Sequence, residues 1–210
     1  MIDIHNIQFF FQNVDKSLYT KKYFRILEDN FPRRKYYVQS NIPRTTMHWG
    51  QRKLLLSEME FLTNYSSPGD LVIYAGAAPA IHTPMLAKLF PQLNFILIDP
   101  IPFSIKQTKN IELRNKYFTS EMAQEFVDKD ILFICDIRIA NDTKDYKPSE
   151  KEVKNDMLIQ QEWVQIMKPK YSMLKFRLPW NEENMEYLNG KLCTQPWGPR
   201  TTTETRLIVE

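Results

Sequence analysis

Residues 71–100 read LVIYAGAAPAIHTPMLAKLFPQLNFILIDP, and the reading of this stretch decides the fold. An unbroken apolar run, Leu71 to Ala75, meets a turn of small residues, Gly76-Ala77-Ala78-Pro79-Ala80. A helical segment follows, then a second apolar run from Phe95 that ends in Asp99. Strand, tight turn, helix and strand in that order make the opening βαβ unit of a doubly wound sheet. Small residues let the backbone come close to a ligand at the carboxyl end of the first strand. The acid ending the second strand is placed to accept hydrogen bonds from a ribose. The alternative is a helix packed closely on a strand for steric reasons alone.

The turn is not built for a pyrophosphate. Neither GxGxxG nor a closing Gly-Lys-Ser/Thr is present, Pro79 has no N–H to donate, and Ala80 brings a methyl group. S-adenosyl-L-methionine carries no phosphate and suits a small-residue turn followed by an acid. That makes Gly76, Ala78, Pro79, Ala80 and Asp99 candidate cofactor contacts.

The same alternation extends outward. Upstream, residues 50–64 are patterned as a helix, with Leu55, Met59 and Leu62 on one face and Leu54, Leu56 and Phe61 thickening it. Ser66-Ser67-Pro68-Gly69-Asp70 is a loop. Downstream come a weaker strand at 111–115, a helix at 120–127 and a continuous apolar run, ILFICD, at 131–136. A run of that kind suits a central parallel strand covered on both faces. A polar loop at 141–148 leads to Ser149-Glu150-Lys151-Glu152, a capping box that opens a helix with Val153, Met157, Val164 and Met167 inward. Residues 171–178 form a further strand, and 191–194 with 203–209 a closing antiparallel pair. The expected class is α/β, with a mainly parallel twisted sheet flanked by helices and an antiparallel C-terminal strand pair. Residues 1–48 read as an N-terminal extension with a short helix at 16–29, and 49–210 as one compact domain.

Composition sets the outer bounds. A chain of 210 residues, 43% hydrophobic and 25% charged, has the makeup of an ordinary globular protein with a full core. No apolar run approaches a membrane span, and the N-terminus lacks a basic-then-apolar signal, so no membrane association is expected. Cys135 and Cys193 lie in or beside apolar segments and read as buried free thiols of a reducing compartment. His5, His48 and His82 form no ligand motif, and no metal is expected. The net charge of +3 is uneven: residues 1–53 hold ten Lys/Arg against four Asp/Glu, interleaved with aromatics as in Phe31-Pro32-Arg33-Arg34-Lys35-Tyr36-Tyr37. Bases pair with phosphates and aromatics stack on nucleobases, a mixture suited to single-stranded nucleic acid. A solvated basic face over a few core aromatics would read the same way.

Four polar residues stand inside apolar or strand-like segments: Lys53, Asp136, Lys175 and Glu204. Two lysines and two acids directed at one cleft balance in charge, which lowers the cost of burying them. A lysine near another cation and an apolar wall has its pKa lowered and can act as a base at neutral pH. Such a base could take the proton of a ribose hydroxyl as that oxygen attacks a sulfonium methyl group. Four unrelated surface or strand-edge residues are the competing explanation.

The segments WGQRKLLLSEMEFL, VIYAGAAPAIH, FILIDP, ICDIR, MLKFRLPW and TTETRL follow one another in this order. Together they resemble the poxvirus cap-specific mRNA 2′-O-methyltransferases that double as poly(A) polymerase small subunits. More distantly they resemble the ribosomal-RNA 2′-O-methyltransferases. The resemblance runs from about Gly50 to Leu207. It implies a Rossmann-like fold, S-adenosyl-L-methionine as cofactor, and a capped mRNA 5′ end as substrate. It also implies a viral polymerase or transcription complex as partner, and a place in the host cytoplasm or virion. It puts a Lys-Asp-Lys-Glu tetrad on Lys53, Asp136, Lys175 and Glu204, with Lys175 as the base. Gln51, Tyr74, Gly76 and Asp99 match cofactor positions, Asp136 would also touch the methionine part, and Phe118 would wall the adenine. Arg138, Arg177, Thr202 and Arg206 match positions flanking the substrate nucleotides. Trp180 matches an aromatic that stacks on the methylated guanine, with Tyr36 or Tyr37 as a second ring and Glu182 as an acceptor.

The departures from that pattern are specific. The family turn reads Ala-Pro-Gly where this chain has Ala78-Pro79-Ala80, and Pro100-Ile101-Pro102 offers no arginine after the ribose-binding acid. Six residues of this sequence follow Glu204, so a counterpart of the C-terminal cap-pocket residue of those relatives is not expected among them. If position 80 needs a positive φ, alanine costs about 1 kcal/mol and loosens the cofactor site. Three functions follow: cap 2′-O-methylation of the first transcribed nucleotide, 2′-O-methylation of another RNA such as ribosomal RNA, or an RNA-binding polymerase subunit with a vestigial methyltransferase site.

Overall fold

The computed structural model describes residues 26–27, 49–138, 148–177, 186–196 and 204–210. In chain order these form β1 (Ile26–Leu27), α1 (Trp49–Tyr65), β2 (Leu71–Ala75), α2 (Thr83–Leu89), β3 (Asn94–Ile98) and β4 (Ile111–Arg114). They continue with α3 (Ser120–Gln124), β5 (Ile131–Cys135), α4 (Glu150–Met167), β6 (Tyr171–Arg177), β7 (Lys191–Thr194) and β8 (Glu204–Val209).

The strands make one sheet in the order β1-β7-β8-β6-β5-β2-β3-β4. From β4 through β6 all neighbours are parallel, while β8 runs antiparallel to both β6 and β7. β2 lies between β3 and β5, so the chain leaves it toward one edge and later returns on its other side. Crossovers of an open α/β sheet diverge at that point, and a crevice opens beyond the strand carboxyl ends.

Both faces of the sheet are covered, which is why the central strands are apolar without alternation. Val72 and Tyr74 point to the face covered by α1 and α2, where Phe61, Leu62, Leu86 and Leu97 join them. Ile73 and Ala75 point to the other face, packed by α3 and α4 through Met122, Trp163, Val164 and Met167. The α4 capping box is present: Ser149 accepts from the Glu152 N–H, and the Glu152 carboxylate accepts from the Ser149 N–H.

Three expectations need correction. Ile26 and Leu27 are strand, not helix: they pair with Cys193 and Leu192, because the open edge of β7 offers backbone partners that local helix propensity cannot match. α3 ends at Gln124 rather than Val127; residues 125–127 tighten into turns that turn Phe126 into the core, ahead of Asp128 at φ 58°. Cys135 is buried, but Cys193 is only partly so, since it sits on the short edge strand β7.

Candidate active site

Four elements deliver the tetrad. Lys53 projects from the start of α1, Asp136 follows β5 directly, Lys175 lies in β6 and Glu204 opens β8. In the antiparallel register Lys175 faces Arg206 and Arg177 faces Glu204. The two-residue period of the strands therefore puts Lys175, Glu204 and Arg206 on one face, the face that α1 covers. Lys53 Nζ lies 3.2 Å from Glu204 Oε1, and Lys175 Nζ lies 3.2 Å from Asp136 Oδ1 and 4.0 Å from Glu204 Oε2.

A fifth group holds the cluster together. Arg206 is 3% exposed, with Nη2 2.8 Å from Asp136 Oδ1 and 3.7 Å from Glu204 Oε1. Gln195 donates to Glu204 Oε1 at 2.6 Å. Burial pushes the Glu204 carboxyl up, but Lys175, Arg206 and Lys53 outweigh it and hold the group well below the usual carboxylate range. Burial likewise works against the Arg206 charge, and Asp136 and Glu204 more than restore it. Asp136 Oδ1 has charged neighbours within ion-pair distance but no aligned hydrogen-bond donor, so its attractions are Coulombic.

The glycine turn works differently from the expectation that it mainly admits a ligand. Gly76 has φ 77°, and a Cβ there would sit 2.8 Å from the Ile137 nitrogen and 2.9 Å from the Asp136 carbonyl carbon. Glycine is required so that the turn can press against the backbone at Asp136. Ala80 does adopt φ 61°, the left-handed conformation anticipated for a glycine. Its methyl is fully buried against the α1/α2 core, which returns about 0.8 kcal/mol against a left-handed cost of about 1–2 kcal/mol. Asp99 organises the turn as well: Oδ2 accepts from the Ala78 N–H at 2.9 Å and Oδ1 from the Ile101 N–H at 2.8 Å. Each carboxylate oxygen keeps a second lone pair.

A network that the sequence did not reveal underlies the site. Glu58, on α1, is 0% exposed. Its Oε1 accepts from the Tyr74 hydroxyl at 2.8 Å, and its Oε2 lies 2.7 Å from His82 Nε2. The other ring nitrogen, His82 Nδ1, lies 2.8 Å from Gln51 Oε1. Burial, with Glu58 next, raises the Tyr74 phenol well above its ordinary value.

The remaining candidates separate into groups. Tyr74 turns its side chain into the core to reach Glu58, so it meets the crevice only through its backbone. Phe118 is buried edge-on to Trp163 at 4.7 Å and beside Phe126 and Phe133, a core ring rather than an open wall. Arg206 is enclosed beside the tetrad rather than facing a nucleotide, because the strand period directs it inward with Lys175. Arg138 pairs with the buried Asp156 at 3.3 Å and Arg177 with Glu150, both acids on α4. Tyr36, Tyr37, Trp180, Glu182 and Thr202 lie outside the described residues.

The chemistry of the donor set fits S-adenosylmethionine. Gln51 has one end of its amide on His82 and the other without a protein partner among the described residues, and the Asp99 carboxylate keeps lone pairs that suit ribose hydroxyls. Among the described residues no group of His, Cys, Asp and Glu could hold a metal ion, and no helix is long and apolar enough to cross a membrane.

Comparison with known proteins agrees with this architecture. Two poxvirus proteins named cap-specific mRNA (nucleoside-2′-O-)-methyltransferase are similar. That of Myxoma virus (strain Lausanne) is 25% identical over 186 residues, covering 79% of this chain and 54% of the relative. That of Fowlpox virus (strain NVSL) is 30% identical over 178 residues, covering 76% and 57%. The chain thus spans little more than half the length of these relatives. Bluetongue virus VP4, described as a multifunctional RNA-capping production line, shares the fold, with a TM-score of 0.56 and 15% identity over 73% of this chain and 25% of its own. Residues 18–210 match the model of the poly(A) polymerase regulatory subunit family, and the chain belongs to that family.

Proposed function

We propose that this chain is an S-adenosylmethionine-dependent RNA 2′-O-methyltransferase acting on the first transcribed nucleotide of capped mRNA. The observation that carries the proposal is the convergence of Lys53, Asp136, Lys175 and Glu204 from four separate elements to ion-pair distance at the sheet's switch point. The names of the poxvirus relatives support the substrate class. Bound S-adenosylmethionine supplies an electrophilic methyl group. Lys175 Nζ accepts the proton of the ribose 2′-hydroxyl and holds that oxygen in line. Lys53 pairs with Glu204 and Arg206 with Asp136, so both carboxylates keep a cationic partner besides Lys175. Asp136 orients Lys175 from 3.2 Å. Asp99 and the Gly76–Ala80 turn hold the nucleoside, and Trp180 with Tyr36 or Tyr37 and Glu182 take the methylated guanine. Arg138, Arg177 and Thr202 meet the RNA backbone, for which the two arginines must exchange their α4 carboxylates for phosphates. Action in the cytoplasm or virion belongs to the same reading.

The test is methyl transfer from labelled S-adenosylmethionine to a short RNA with and without a 7-methylguanosine cap, followed by digestion to locate the label. Cap-dependent label on the first 2′-oxygen is expected. Lys175→Ala should abolish transfer while leaving cofactor affinity within about twofold, the pattern of a group used only in the transition state. Turnover in that variant would refute Lys175 as the base.

One observation favours a second reading, an RNA-binding subunit of a poly(A) polymerase with a decayed transfer site. Ala80 occupies a left-handed backbone position at the cofactor turn. RNA binding without transfer to either RNA is the result that would select it.

A further inference from the structure

We infer that Glu58 and His82 are positioning residues that hold Gln51 ready for the cofactor's amino-acid end; the inference rests on the methyltransferase reading above. His82 stands at the junction of the cofactor turn and α2, as the N-cap of that helix, yet its side chain makes no cap hydrogen bond. It points instead into the α1 face. One ring nitrogen meets Glu58 at 2.7 and 3.0 Å, and the other meets Gln51 Oε1 at 2.8 Å. The ring is therefore a bridge with neither nitrogen spare.

A buried carboxylate is a costly anchor unless its lone pairs are filled. Glu58 fills them with the Tyr74 hydroxyl and the His82 ring, which ties α1 to β2 and to the turn at one point. Two consequences follow for the crevice. Gln51 and Lys53 are two residues apart on α1, so the same anchor that fixes the helix fixes the start of the tetrad. Gln51 is partly exposed, and His82 takes one end of its amide and leaves the other for a ligand. With both ring nitrogens donating, to Glu58 and to Gln51 Oε1, the end left is the NH2, a donor for an anionic group. An unanchored glutamine would lose rotamer freedom on binding; one pinned by His82 has already lost it. The carboxylate of a bound amino-acid moiety is the chemical class that this free donor recognises.

A double-mutant cycle on the full chain tests this, with S-adenosylmethionine affinity by calorimetry and transfer rate as readouts. His82→Gln places an amide where Nε2 was, so Glu58 keeps a donor while the bridge to Gln51 is broken. The dissociation constant for S-adenosylmethionine should rise about tenfold in His82→Gln and in Gln51→Ala, the size expected for a charge-assisted hydrogen bond. The rate at saturating cofactor should stay within about twofold in His82→Gln. Because His82 acts through Gln51, the double variant should bind no worse than Gln51→Ala alone. Additive losses, or an unchanged affinity in His82→Gln, would overturn the inference while leaving the methyltransferase reading intact. Absence of binding to the unmodified chain would overturn that reading, and the inference with it. Should His82→Gln not fold, the ring signals of His82 in magnetic resonance give the same answer. Added S-adenosylmethionine must shift them in the natural chain and must not in Gln51→Ala, and signals indifferent to the cofactor would refute the bridge.

Discussion

Glu204 sits where burial alone would neutralise a carboxyl, and the three cations around it reverse that outcome. Its folded value lies below the ordinary 4.5, so as pH falls the unfolded chain takes up this proton first. The linkage then favours folding above about pH 4.5 and is lost as pH drops through the folded value. Glu204→Gln removes that linkage and leaves three cations facing Asp136 alone. The variant should be less stable than the natural chain at pH 6 and should lose less on moving to pH 3. Urea unfolding at both values checks this, and equal losses in the two proteins would contradict it. Lys53, Asp136, Lys175 and Glu204 stood out because each is a charge inside an apolar or strand-like segment, but that they belong to one cluster was implied only by the family resemblance. Arg206 and Glu58 did not, although both are charged and buried. Arg206 sits in TTETRL like any strand-end arginine, and Glu58 in SEME like any solvated helix position. Their partners lie in other elements, so local pattern could not distinguish them.

Among the elements, β2, β3, β5 and β6 were readable because a strand covered on both faces has no alternation to lose. β1 was not, since two residues carry no period and its partner β7 lies near the other end of the chain. The β7–β8 pair matters beyond the sheet, because Glu204 begins β8 and Gln195, which holds it, directly follows β7. Entry into β7 passes through Gly190, where an added Cβ would lie 2.3 Å from the Ile208 carbonyl oxygen. That obstacle is backbone and cannot swing aside. Gly190→Ala should cost roughly 1–3 kcal/mol through forced displacement of the pair. Transfer should fall with it, because Gln195 and Glu204 shift together. A thermal unfolding scan and the transfer assay on the same preparation test both halves; an unchanged Tm would mean that the hairpin accommodates a methyl group.

At the scale of the molecule, structure and charge are distributed unequally. Every residue of the two buried core clusters falls between Phe61 and Val209. Residues 1–48 hold eight Lys/Arg against four Asp/Glu, which leaves the rest of the chain close to neutral at −1. The core that folds the protein and the charge that would draw it to RNA are thus largely in different stretches. The one described pairing between them is β1, which covers the open edge of β7. Residues 49–210 alone should therefore melt cooperatively and bind S-adenosylmethionine, given a reductant to protect Cys193 on the uncovered edge. Their affinity for RNA should drop, and the dependence of that affinity on salt should flatten by about 0.7 in logarithmic slope for each phosphate no longer neutralised. Titrating the full and shortened chains with the same capped RNA at several salt concentrations decides the matter. A smaller slope assigns RNA binding to residues 1–48. An unchanged slope places the whole electrostatic interface on the sheet domain, where Arg138 and Arg177 would have to leave Asp156 and Glu150 to make it.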